Sequence, residues 1–410
     1  MRTNTSAGTG MASGMAGKWE ALVLLWFAYF FYQADKQIYA VVLAPLRAEL
    51  GLSGPEAGLV NTIFTLVAAV MAPVAGALGD RWPKARILTW VVVVWSAGTM
   101  LSGAVGTLAM MILTRSIVTG TAEAFYPPVA HAYIAALHDR TRAFAISIHQ
   151  TAQYAGPIGS GILAGWLAEK AGWRTSFYVF GAGGILLGLW MAWRMKAEVG
   201  ERAAGKVWEG FRDCARIAGV RYLGLAFAAE LFVTLGYSTW APTIFRQQYG
   251  LGLAEAGFQT SFWTMACAIG GALVGGAASD RWKARGGRRV DVQALALVVG
   301  APFFYWLGSA ATLGPALVAL GAIGFCRGVY EGTIAVTLYA YVRPEHRASA
   351  AAVVLVVANL LAAPSSALLG WAADVADIQM AVRGLGVFFL AGALVLWSSR
   401  RLPLAGERLD

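Results

Sequence analysis

The chain carries the same stretch twice, about two hundred residues apart, each copy at the end of an apolar run and the start of a basic loop. The first reads Gly76-Ala-Leu-Gly-Asp80-Arg81-Trp82-Pro-Lys84-Ala-Arg86, and the second Gly276-Ala-Ala-Ser-Asp280-Arg281-Trp282-Lys283-Ala-Arg285. Upstream, Gly51 and Gly58 recur as Gly250 and Gly257, both shifted by 199; downstream, Arg142 and Gly165-Trp166 recur as Arg347 and Gly370-Trp371, both shifted by 205. A register held over this length limits the fold to two related halves, each about two hundred residues long.

Composition says what those halves are made of. With 58% hydrophobic and 13% charged residues among 410, and a mean hydropathy of +0.60, the chain lies outside the range of soluble globular proteins. Apolar windows long enough for a hydrocarbon layer of about 30 Å fall near 19–44, 56–79, 87–105, 107–137, 143–168 and 173–193, and again near 222–245, 255–279, 290–310, 313–342, 348–373 and 378–399. That is six per half. The windows lack the alternation of barrel strands, and a lipid-facing backbone must satisfy its own N–H and C=O groups, so helices are expected throughout.

The cations give the orientation. With the N-terminus inside, the cytoplasmic segments hold 24 of the 32 Lys and Arg, which predicts that both termini are cytoplasmic. The net charge of +10 then sits against anionic headgroups and calls for no nucleic-acid partner. The expected division is a disordered tail over 1–18, a helical bundle over 19–193, a basic linker over 194–221 with an amphipathic helix near 207–217, a second bundle over 222–399 and a tail over 400–410. Cys214, Cys267 and Cys326 have neither the number nor the spacing of a disulfide framework or a metal site and are expected to pack in helices. Neither metal nor cofactor is expected, and no nucleophile with its base or phosphate loop points to an enzyme.

The Gly76–Arg86 stretch resembles the loop 2–3 signature of the major facilitator superfamily, and its repeat resembles the degenerate copy between spans 8 and 9. The resemblance covers the whole chain. It implies an all-α polytopic membrane protein with twelve transmembrane helices in two pseudo-symmetric six-helix bundles, opening alternately to each side around a central site. Gly76, Asp80, Arg81, Arg86, Asp280 and Arg281 are the expected gating residues, with small residues allowing close helix approach and the charges holding one state. Within the superfamily, Asp35-Lys36, the Leu43-Ala-Pro-Leu46 and Glu49-Leu-Gly-Leu-Ser53 runs, and Arg115 followed by Gly120-Thr-Ala-Glu123 are similar to the anion:cation symporter branch. Lys36 stands for that branch's Arg, and one extra residue separates Arg115 from Gly120. Spinster-like lysolipid transporters have comparable first and fourth spans. Gly156-Pro-Ile-Gly159-Ser-Gly161 resembles part of a drug:proton antiporter signature, which keeps efflux open.

Ionisable groups at bilayer depth are costly unless paired or hydrated, so they mark the interior cavity. Glu123 and Asp35 are the candidates for proton coupling, against a permanent salt bridge from Glu123 to Arg115 or Lys36. Lys36 and Arg115 are candidates for an anion clamp, against simple compensation of the two carboxylates. Adjacent residues on a helix point about 100° apart, so one of Asp35 and Lys36 faces the cavity while the other reaches span 4. Arg327 and Glu331, four apart, read as a structural ion pair. Glu230 lies near enough to the membrane edge to snorkel or to pair with a loop cation, and His131 and His149 fall toward the inner mouth. Tyr32, Gln150, Gln153, Tyr154, Trp240 and Asn359 are the uncharged candidates for the substrate site, with Tyr39, Asn61, Tyr237, Trp263 and Ser366 as further cavity-wall candidates. The expectation is a secondary transporter of the bacterial inner membrane, monomeric, symporting protons with a small organic anion; the alternative is a proton-coupled efflux antiporter or lysolipid exporter.

Overall fold

The computed structural model describes residues 9–79, 82–138, 140–195 and 207–404, and these are helical nearly throughout. In the first half α1 is Thr9–Leu50, α2 Gly54–Gly79 and α3 Lys84–Ser102. α4 covers 108–137 in three continuous pieces, α5 is Arg142–Ala171 and α6 Trp173–Arg194. The linker helix α7 is Val207–Arg216. The second half has α8 (Ala218–Tyr249), α9 (Leu253–Ala284), α10 (Arg289–Ser309), α11 (Leu313–Tyr339), α12 (Pro344–Val375) and α13 (Ile378–Ser399).

Nine helices among the described residues are long and apolar enough to cross a bilayer: α2, α3, α6 and α8 to α13. The other three long helices, α1, α4 and α5, carry the intramembrane polar residues of the first half. Their exposed faces are nonetheless apolar, as are those of their neighbours; Trp90, Leu186, Trp193, Leu273 and Leu394 stand out from the bundle, the arrangement of a protein whose solvent is lipid. One expectation is corrected. α1 begins at Thr9, so residues 9–18, rich in Ala, Met and Gly, join the first helix and not a disordered tail. α12 is interrupted at 363–364, where Pro364 follows the first piece and cannot supply the N–H that a continuous helix needs.

The sequence repeat reappears as conformation. Gly51 and Gly250 both have positive φ, 65° and 68°, in the left-handed region that ends a helix and turns the chain into the next one. Each therefore closes the first helix of its half. One apolar core runs through both halves at the end of the molecule away from the termini, joining Ile38, Val42 and Leu46 of α1 to Tyr237 and Ile244 of α8 and Leu253 of α9. At the termini end the core is split: Leu24, Leu25, Trp95, Tyr126 and Met191 belong to a cluster confined to the first half.

The halves meet along two crossings related by the repeat. Gly54 and Gly58 of α2 cross Gly370 and Ser366 of α12, and a Cβ on Gly58 would collide with the Ser366 carbonyl oxygen. Ala254 and Gly257 of α9 cross Gly165 and Gly161 of α5 in the same way. The first-turn N–H groups of α2 and α9 have no partner in their own helices, and each donates to a carboxylate from the other half. Gly54 N donates to Asp374 at 2.5 Å, and Ala254 N to Glu169 at 3.3 Å. Asp374 and Glu169 are themselves 205 residues apart. Arg47 pairs with Asp374 and lies over the Trp240 ring, and Asn61 Nδ2 donates to Thr239 at 2.9 Å further in. Every hydrogen bond or ion pair that joins the two halves among the described residues lies at this end. The chain is closed here. Beside it, Trp173 Nε1 donates to Glu49 at 2.6 Å and Arg174 pairs with the same carboxylate, so that Glu49 stays below the usual carboxylate range.

The linker helix docks on the second half, with Gly210 against Ser349 and the buried Cys214 Sγ 3.6 Å from the His346 carbonyl.

Candidate functional site

Residues 112–119 of α4 form a turn of π-helix, centred on Arg115. The wider i→i+5 ring absorbs one residue beyond the α-helical count, so this segment can hold an extra residue between Arg115 and Gly120 without breaking the helix. Seating is tight here: Ser116 Oγ donates to the Val60 carbonyl at 2.7 Å, and Thr119 Oγ1 to that of Thr114 at 3.0 Å. The bulge aims Arg115 at α1. Its Nη1 donates to Asp35 Oδ2 at 2.6 Å and its Nη2 to the Asp35 carbonyl at 3.2 Å, while Phe64 covers the guanidinium at 4.7 Å. Thr99 of α3 donates to Asp35 Oδ1 at 2.6 Å. Arg115 is fully buried, so in this state both amino groups serve Asp35 and neither faces the cleft.

Lys36, on the neighbouring azimuth, points the other way. Its ammonium rests 4.0 Å from the centroid of the Tyr32 ring, a cation–π contact in a part-buried position. Glu123, one turn past the bulge, is buried with both carboxylate oxygens lacking a hydrogen-bond partner, within reach of Asp35. Two ionised carboxylates cannot hydrogen-bond to each other; the bond forms when one carries a proton. Asp35, Lys36, Arg115 and Glu123 are thus one cluster of two cations and two carboxyl groups, in which Asp35 is the group that reaches span 4.

Around this cluster, Tyr29 donates to Gln153 at 3.4 Å and stacks on His149, ring centroids 4.6 Å apart. Tyr126 OH lies 2.6 Å from the Leu25 carbonyl and 3.1 Å from His149 Nε2. Gln150 Oε1 and His131 Nε2 are buried without partners. Tyr154 lies near Glu331 and Arg327 of the second half.

In the second half Arg327 Nε is 3.0 Å from Glu331, the intrahelical pair that their spacing predicts. Arg327 is also 3.5 Å from Glu230 of α8. Glu230 neither snorkels nor meets a loop cation: it is fully buried, with Oε1 accepting from Thr234 at 2.6 Å and Oε2 unpartnered. Hydropathy placed it in a span near the membrane edge, whereas its partner comes from another helix, which no local spacing reveals.

Other candidates lie elsewhere. Trp240 is packed into the closed end, its Nε1 donating to the Ser366 carbonyl at 3.0 Å. Asn359 turns back on its own helix, donating to Leu355 at 2.8 Å. Among the gating candidates, Gly76 lies in the last turn of α2 and Arg86 is exposed on α3, while Asp80 and Arg81 lie outside the described residues. In the second copy Arg281 is exposed, and Asp280 pairs at 2.6 Å with Arg289, the first residue of α10, a partner that the motif itself does not contain.

The family model of the Major Facilitator Superfamily matches residues 25–366. An efflux pump of Mycolicibacterium smegmatis is 28% identical over 64% of this chain and 62% of its own length. A probable sulfoacetate transporter of Cupriavidus necator is 26% identical over 66% of this chain and 67% of its own. The chain thus spans under two thirds of the first relative and about two thirds of the second. Among solved structures, a bacterial homolog to the human lysosomal transporter Spinster, in an inward-facing and unoccupied conformation, shares the fold with a TM-score of 0.76 at 20% identity, covering 94% of this chain and 95% of that one.

Proposed function

Because the chain belongs to the Major Facilitator Superfamily, a family of membrane transporters and not of enzymes, we propose that it is a proton-coupled symporter for a small organic anion of the sugar-acid or carboxylate class. It works by alternating access across a bacterial inner membrane, with both termini cytoplasmic. The observation that carries this reading is Glu123, buried and unpartnered beside the Asp35–Arg115 pair and Lys36. With Glu123 ionised the four groups sum to zero. Protonation lets Glu123 donate to Asp35 and leaves the cluster with one surplus positive charge, which a bound anion cancels. Proton and anion each make the other easier to bind, and that mutual preference is symport.

Lys36 is the anion's contact in this scheme, since Arg115 is held by Asp35. Tyr32, Gln150, Gln153 and Tyr154 supply hydroxyls and amides for the rest of a polar substrate, the mixture an oriented small-molecule site requires. Cytoplasmic termini make the closed crossings the external side, so this state is open to the cytoplasm. The similarity to a sulfoacetate transporter supports an anionic substrate.

The test is uptake into proteoliposomes under an inward proton gradient, with labelled sulfoacetate and a sugar acid as probes. Gradient-driven accumulation is expected for one of them, abolished by a protonophore. Glu123→Gln is expected to lose accumulation but keep exchange between equal pools, because an amide mimics the protonated acid and cannot release a proton. Accumulation that ignores the gradient overturns the reading. A second reading, export of amphipathic compounds, is supported by the similarity to an efflux pump. Under that reading the probes do not move, and energised everted vesicles accumulate lysolipid or cationic dye.

A further inference from the structure

We propose that Glu230, with Arg327 and Glu331, is a second proton-binding site, placed in the second half, so that each half carries its own proton through the cycle. The inference extends the proton-coupled reading above and rests on it.

In the first half a carboxylate on the opening helix, Asp35 of α1, meets an arginine on the fourth long helix, Arg115 of α4. In the second half a carboxylate on the opening helix, Glu230 of α8, meets an arginine on the fourth, Arg327 of α11. A second carboxyl follows each arginine on the same helix: Glu123 in one half, Glu331 in the other. The two clusters occupy equivalent helices of the repeat, although neither motif had marked Glu230.

Charge is the second observation. Glu230 and Glu331 share one guanidinium, so the group carries a surplus negative charge while both are ionised. Glu230 is fully buried, one oxygen held by Thr234 and the other facing no donor. Among the described residues no other cation is paired with it. The one charged residue of α13, Arg383, lies near its start and donates to the Gly308 carbonyl at 2.9 Å; Arg347 of α12 lies over Tyr339 and Asp374 is engaged by Arg47 at the closed end. On α1, Asp35 pairs with Arg115 and Lys36 rests on Tyr32, while the charged residues of α9 lie in its terminal turns. The linker helix packs on α12. The remaining titratable neighbours are the hydroxyl of Tyr330, buried and unpartnered, and that of Tyr154 facing Arg327 and Glu331 from α5. A buried surplus charge of this kind is resolved by taking up a counter-charge, and a proton is the counter-charge that binds directly to the sealed Glu230 carboxylate.

An entry path is also present. Glu331 is 30% exposed and Arg327 15% exposed, while Glu230 is sealed. A proton arriving from the cleft meets Glu331 first and moves on to Glu230, while the guanidinium that pairs with both carboxylates stays charged throughout. The uptake is one proton onto one carboxylate, with no other bond changed. The surplus charge is gone and Arg327–Glu331 remains as a neutral pair.

The test needs no knowledge of the substrate. Infrared difference spectra of the purified protein in lipid, recorded as pH is raised, read the C=O stretch of protonated carboxyl groups directly. The wild type is expected to lose two such bands in the pH series. Glu230→Gln is expected to lack one and keep the other, and Glu123→Gln to show the complement. Glu230→Asp, which keeps a carboxyl on a shorter stem, guards against misfolding: its band is expected to persist at a shifted frequency. An unchanged wild-type pattern in Glu230→Gln, or an unshifted one in Glu230→Asp, overturns the proposal. So does a band that answers sodium chloride at constant pH. Failure of the uptake assay with Glu123→Gln would remove the symport reading alone, since the Glu230 band is scored without transport.

Discussion

The two halves place charge on equivalent helices and balance it differently. In the first, two cations meet two carboxyl groups, and the arginine is sealed under Phe64 with its amino groups spent on Asp35. In the second, one arginine serves two carboxylates and stays partly open to the cleft. A balanced buried cluster can gain a ligand of either sign only by changing its own protonation; an unbalanced one already asks for a cation. The lesson is that a duplicated scaffold preserves where charges sit more faithfully than how many of each there are.

The sharpest way to break this comparison is to remove each arginine. Arg115→Ala strands Asp35 in a fully buried position, and breaking such a pair costs about 3–5 kcal/mol. A large loss of thermal stability is expected, recovered in part by adding Asp35→Asn. Arg327→Ala is expected to cost less, because protonation of Glu230 can relieve it. Equal losses on thermal unfolding in lipid would erase the difference between the halves.

Next in size is Lys36→Ala. Losing a charge-assisted hydrogen bond to a bound anion costs about 1.5–3 kcal/mol, roughly one to two decades in affinity. The anion is expected to weaken by that amount while a neutral analogue of the same shape is unaffected. If Lys36 only compensates Glu123, the double change with Glu123→Gln will restore binding of the anion, and calorimetric titration of both variants decides.

The repeated loop gives a third contrast. Asp80→Asn is expected to reduce transport sharply with expression intact, whereas Asp280→Asn is expected to leave it nearly unchanged. Asp280 is exposed and paired with Arg289, and surface pairs are worth about 0–1 kcal/mol. Equal effects on initial uptake rates would mean that both copies gate.

The smallest expected effect is at Arg47. Its pair with Asp374 is part-exposed, so Arg47→Ala is expected to shift the balance between the two access states by less than about 1 kcal/mol. Spin-label distances between the tips of α2 and α12 would read that shift; none at all would show that the glycine crossing closes this end unaided.

Much of this was legible beforehand. Apolar windows located the helices because lipid imposes length and apolarity, and the linker helix followed from its amphipathic pattern. The repeat aligned Gly51 with Gly250, and both have positive φ. The π-turn was legible only as a misfit, one residue too many between Arg115 and Gly120, since a helical count does not say how an insertion is absorbed. Partnerships between helices were harder. Asp35 with Arg115 was open among alternatives, and Glu230 with Arg327 was missed, because depth along a span is written in local sequence while azimuth is set by packing. The partner of Asp280 lay outside the motif for the same reason.

The two glycine crossings carry one further consequence. What touches there is largely peptide against peptide, with each helix start covered by a carboxylate borrowed from across the seam. Peptide groups and carboxylates are readily satisfied by water when they separate, and little oily surface is laid bare in parting them. The crossings themselves are therefore cheap to part as well as close-fitting when shut, and the resistance to opening comes from the apolar core beside them. The peptide contacts act as a latch that water can replace, while the buried side chains around them set how firmly the door stays closed.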